Sequence, residues 1–126
     1  MKVLQRGVVV LMAGLLATAC GPRPANNPNA AAPITVEVTN QNRRDVTVFL
    51  IRSGTPVRLG TVISGRTSTF PYRGIPSGGE SVRVGAEIIG SAEQYSSEPV
   101  RAVPGDRVIL RLQDLLSTSG ISVRGQ

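Results

Sequence analysis

Histidine and tryptophan are absent from this chain, and cysteine occurs once, at position 20. Without histidine there is no imidazole base and none of the mixed cysteine–histidine zinc sites. A single cysteine cannot close an internal disulfide. The chain also lacks a G-x-S-x-G elbow, a phosphate-binding glycine loop and an H-E-x-x-H helix. Aromatic residues number four, Phe49, Phe70, Tyr72 and Tyr95, too few for the stacking platforms on which single-stranded nucleic acid binds. These absences point away from an enzyme, from a bound cofactor or metal, and from a nucleic-acid partner. Paired carboxylates are the remaining route to acid–base chemistry. The eight acids are Glu37, Asp45, Glu80, Glu87, Glu93, Glu98, Asp106 and Asp114. Their positions on polar strand faces or in turns suit solubility and turn capping better than catalysis.

What is present is concentrated first in the opening "MKVLQRGVVVLMAGLLATAC". Lys2 and Arg6 precede an apolar stretch, Gly7 to Ala19, in which Thr18 is the only polar residue. A basic start, an apolar segment of about 7–15 residues and a small-residue exit form the pattern of an export signal. The stretch falls short of the roughly 20 apolar residues that cross a bilayer. Exported cysteines are usually paired, so an odd one needs a reason.

The residues "LATAC" resemble the lipobox of bacterial lipoproteins. Leu16 stands one place further from the cysteine than the family's usual leucine, and Ala17 takes that place. The resemblance implies cleavage after Ala19 and acylation of Cys20 as the new N-terminus, with palmitate among the chains. Two or three acyl chains are what stable anchoring requires, at about 0.8 kcal/mol per buried methylene. Gly21 is not the aspartate that favours inner-membrane retention in enteric relatives, so the resemblance implies the periplasmic or surface side of the outer membrane rather than the inner membrane. The other reading of the same exit is an ordinary signal-peptidase site with an incidental cysteine.

Processing before Cys20 leaves twelve arginines against eight acids, a side-chain net charge of +4, and no lysine. The segment "GPRPANNPNAAAP", residues 21–33, has four prolines and no core-forming residue. We read residues 20–33 as a lipid-bearing cysteine and an extended tether, reaching roughly 30–40 Å at about 3 Å per residue.

Residues 34–126 read as one all-β domain. "ITVEVTN" alternates Ile34, Val36 and Val38 against Thr35, Glu37 and Thr39, a strand with one wet face. "VTVFLIR" is apolar on both faces, as a central strand would be. "VRLGTVI", "TSTFPY", "SVRVGAEII", a stretch around Tyr95–Val103 broken near Pro99, and "RVILRLQ" complete about seven strands. Pro71 lacks an amide donor and places its strand at an edge. Short strands between Gly/Pro/Asn/Ser turns predict a small antiparallel β-sandwich. In strand count alone it loosely resembles immunoglobulin-like and transthyretin-like envelope modules. The tail is ambiguous: 114–117 suits one helical turn and "GISVR" a terminal strand outside the seven, and the pattern does not decide between helix and strand.

Two sets of residues are candidates for function. Phe49, Ile51, Phe70 and Tyr72 are the candidate interface, since outward apolar side chains mark partner contacts. Arg58, Arg83, Arg107 and Arg111 are candidates for anion binding if adjacent strands gather them into a stripe. Three readings follow: a lipid-anchored envelope module that meets a protein partner, a binder of an anionic glycan or polymer, and an accessory structural subunit of a larger membrane-associated complex.

Overall fold

The computed structural model describes residues 32–125. The expected export signal over 1–19, Cys20 and most of the expected tether lie outside the described residues.

The domain has nine strands: β1 (Ile34–Asn40), β2 (Val46–Arg52), β3 (Thr55–Val62), β4 (Thr67–Tyr72), β5 (Glu80–Ile88), β6 (Gln94–Ser96), β7 (Val100–Ala102), β8 (Arg107–Leu112) and β9 (Gly120–Arg124). A 3-10 turn, Leu116–Thr118, precedes β9. A four-stranded sheet has the order β4-β1-β8-β9. A five-stranded sheet has the order β3-β2-β5-β6, with β7 also paired to β5. The expected sixth strand is thus two short ones, because Pro99 cannot donate to β5. The tail supplies β9, which raises the expected seven strands to nine. The expected antiparallel arrangement also needs one correction. β1 and β8 are parallel, Val38 lying opposite Leu110, because both strands run from the same end of the domain.

Alternation decides what each sheet buries. Ile34, Val36 and Val38 of β1 and Val108, Leu110 and Leu112 of β8 face inward and are buried. Val46, Val48 and Leu50 of β2 and Val82, Val84, Ala86 and Ile88 of β5 meet them in one aliphatic core. Phe70 and Tyr72 pack on its margin. The sheets approach closely where glycine allows it: a Cβ on Gly60 of β3 would sit 2.7 Å from Cε1 of Phe70 on β4. β3 carries a bulge, since Val48 pairs with Gly60 and Phe49 with Arg58. The unpaired Leu59 turns onto the core, and the strand's alternation changes phase there. Pro71 sits on β4, the edge of its sheet.

The two ends of the domain differ. One end holds the entry of the chain at Pro33, the turn at Ser53–Gly54, the loop 73–79, the turn 103–106 and the exit of β9. There Arg52 joins the sheets. Its Nη2 lies 2.7 Å from Glu80 Oε2 and its Nη1 donates to the Tyr72 hydroxyl at 2.9 Å. The guanidinium also stands 5.6 Å from the Tyr72 ring centroid. The bond to Tyr72 first, and that to Glu80 second, hold the Arg52 pKa above its ordinary value.

The other end is ordered by buried asparagines. Asn40 donates from Nδ2 to the carbonyls of Arg44 at 2.9 Å and Val62 at 3.0 Å. Its Oδ1 accepts from the Asn42 amide at 2.9 Å. Asn42 in turn donates to the carbonyls of Gln113 and Asp114 and accepts from the Arg44 amide. The chain crosses from one sheet to the other through this pair of Asx turns.

Candidate functional site

The outer face of the five-stranded sheet is where apolar side chains meet solvent. Because Val46, Val48 and Leu50 point inward, Thr47, Phe49 and Ile51 must point outward. The registers then place Phe49 between Arg58 of β3 and Gly85 of β5, and Ile51 between Pro56 and Arg83. Gly85 contributes no side chain, so the sheet is hollowed beside Phe49 and Ile51. A Cβ there would lie 3.1 Å from Ile51 Cδ1. The result is an open groove of about 500 Å³ whose apolar floor is Phe49, Ile51, Pro56 and Gly85, with Glu87, Gln94, Tyr95 and Ser96 along its other side. A second hollow of about 470 Å³ continues past Ile51 towards Arg83 and Pro99.

Arg58 and Arg83 flank this groove and both are exposed. Arg83 Nη1 donates to the Ser97 carbonyl at 3.1 Å. Arg107 and Arg111 lie on the outer face of the other sheet, among Thr35, Thr39, Thr67 and Thr69. Arg107 there approaches Glu37 at 3.4 Å. The four candidate arginines therefore form two pairs on opposite faces rather than one stripe. The candidate interface residues divide as well. Phe49 and Ile51 share the groove, whereas Phe70 and Tyr72 face inward, because Thr67, Thr69 and Pro71 take the outer positions of β4.

Tyr95 borders the groove from β6, its hydroxyl donating to the Ser119 carbonyl at 3.4 Å. Burial, and secondarily the charge of Glu98, raise its pKa above the ordinary tyrosine value of 10.0. The neutral phenol is favoured in the folded state. Its contribution to stability is complete below about pH 10 and is lost as pH rises through the raised value. In the Tyr72→Phe variant Tyr95 is the single tyrosine. The midpoint of its tyrosinate absorbance is expected to lie above 10 in the folded protein and to move down to about 10 in denaturant. Identical titrations in the two states would refute the assignment.

The acids have structural work. Asp45 accepts from the Ser64 amide, Asp106 from the Val103 amide, and Asp114 pairs with Arg43 at 3.3 Å. Among the described residues no three His, Cys, Asp or Glu side chains are grouped to hold a metal ion, and no helix is long and apolar enough to cross a membrane. The Asn40–Asn42 network, and the Arg52 and Glu80 that cluster with Tyr72, are not among the candidates from the sequence. The signal for the first was available: Asn40 continues the inward phase of Ile34, Val36 and Val38.

What these elements define is a two-sheet, all-β domain with an apolar groove on one outer face. No protein-family model and no curated protein matches the chain. Its fold is similar to that of a protein from Eubacterium rectale determined by NMR, with a TM-score of 0.51 and 16% identity over 81% of this chain and 96% of that one. At that identity the likeness is one of fold alone.

Proposed function

We propose that this is a non-enzymatic, lipid-anchored protein of the cell envelope whose β-sandwich presents the groove at Phe49 and Ile51 to a protein partner. The groove carries the reading: large apolar side chains lie partly open on a sheet face that no element among the described residues covers. The flanking Arg58 and Arg83 suit an apolar partner segment bordered by acidic groups. Acylation of Cys20 supplies the attachment, with the periplasmic or surface side of the outer membrane as its location. Arg58 and Arg83 also keep a narrower anionic-glycan reading open, restricted to this one face.

Labelled palmitate is expected to enter the wild-type protein and to be lost in Cys20→Ser. An unlabelled wild type would end the anchor reading. For the groove, photo-crosslinking in intact cells is expected to give a discrete adduct that Ile51→Arg removes. The same substitution on the opposite sheet, Ile109→Arg, is expected to leave the adduct in place. Equal effects of the two would remove the groove from the proposal.

A further inference from the structure

We propose that the end of the domain at which the chain enters is a docking surface for an anionic lipid bilayer, so that the domain stands on the membrane with its opposite end outward. The inference rests on the reading of Cys20 as the anchor.

The distribution of charge carries it. The entry end holds Arg52, Arg73, Arg101, Arg107 and Arg124 against Glu80, Asp106 and the Glu37 that Arg107 reaches. Arg52 and Arg107 are engaged with Glu80 and Glu37. Arg73, Arg101 and Arg124 are exposed and form no ion pair with a described acid. Arg101 bonds instead to the Gly78 carbonyl, which fixes it beside the loop 73–79. The opposite end carries Arg43, Arg44, Arg66 and Arg111 against Asp45, Glu87, Glu93 and Asp114, an even balance. It also carries the exposed Ile63, Ile89 and Leu115. Sequence and fold together put the anchored cysteine only thirteen residues ahead of the basic end. The Pro33 carbonyl is held there by the Gly105 amide at 3.2 Å, and the Thr35 amide donates to the Asp106 carbonyl at 2.9 Å. A tether of that length lets the basic end meet the surface, and each arginine that reaches an anionic leaflet favours the docked form about fivefold. Arg44, Arg66 and Arg111 at the opposite end are also exposed, but Asp45, Glu87 and Glu93 offset them there, so the net positive charge of the entry end selects the orientation. The effect is screened beyond about 10 Å at 0.1 M salt.

The test uses the processed, lipidated protein purified from membranes and reconstituted into vesicles that carry a headgroup-labelled acceptor lipid. With the Cys20 thiol acylated, Ser77→Cys labels the entry end and Ser117→Cys the opposite end. The seven residues of β1 set these ends about 23 Å apart. In phosphatidylcholine vesicles containing phosphatidylglycerol, energy transfer from position 77 is expected to exceed that from 117. The excess is expected to fall in high salt, in pure phosphatidylcholine, and in the Arg73→Glu/Arg124→Glu variant. It is expected to survive Arg44→Glu/Arg66→Glu, which changes net charge equally. Transfer indifferent to phosphatidylglycerol, an equal effect of both double variants, or position 117 lying nearer the lipid would each overturn the docking. Chains that take two dyes and carry no acyl mass would overturn the anchor, and the docking with it.

Discussion

Asn40→Ala is expected to cost about 3 kcal/mol of stability, the sum of three lost hydrogen bonds at roughly 1 kcal/mol each. The alanine leaves the Arg44 and Val62 carbonyls and the Asn42 amide without their partner in a buried place. For a domain of this size each kcal/mol moves the melting temperature by about 4–8 °C, so thermal unfolding followed by circular dichroism should show a loss of at least 10 °C, on the order of that conversion. Asn40→Asp keeps the shape but turns a carboxylate towards two carbonyl oxygens, and it is expected to cost no less. The exposed neighbour provides the control: Gln41→Ala should fall within about 0.5 kcal/mol of wild type. A mild Asn40→Ala would mean that water replaces the side chain, and that the link between the sheets at this end lies elsewhere.

Leu110→Ala is the second large effect, expected at about 2–5 kcal/mol from lost burial and the cavity left behind. Leu110 is fully buried between Val38 on β1 and Ile121 on β9. Its chain neighbour Ile109 points to the opposite, solvent-facing side of the same strand, beside Glu37 and Ser122. Ile109→Thr should therefore cost under about 1 kcal/mol, and threonine suits a half-buried strand position on a solvent-facing side. Urea denaturation of the two variants tests the register of the four-stranded sheet directly. Similar losses would mean that the face of β8 is misassigned.

Most strands were legible because their alternation is local. The phase of Ile34, Val36 and Val38 survives unchanged in β1, and Pro71 marks an edge because a missing amide donor has the same meaning in any fold. What escaped is what alternation does not encode. The parallel pairing of β1 with β8 joins segments some seventy residues apart and leaves no local trace. The bulge at Leu59 reverses the phase of β3, with Gly60 inside the strand as its one sequence signal. The arginine sets divide because a polar strand face does not say which of two sheets it belongs to. Phe70 and Tyr72 are a different case. They share the parity of Ser68 against Thr67, Thr69 and Pro71, so the pattern itself set them on the apolar side of β4. They stand in the candidate interface as large apolar side chains expected to point outward, and that parity contradicts it. Phe49 and Ile51 were legible as outward because β2 has apolar residues in both phases. The groove beside them depends on Gly85, whose place opposite Phe49 only the register reveals.

The position of β1 has a mechanical consequence. A pull on the chain ahead of the domain enters the fold at Ile34, in the interior of a sheet and not at its edge. β1 is bonded on one side to β4 and on the other, in parallel, to β8. To be drawn out lengthwise it must shear both ladders together, whereas an edge strand can be peeled one rung at a time. A domain built this way bears load best along the direction from which its own chain arrives.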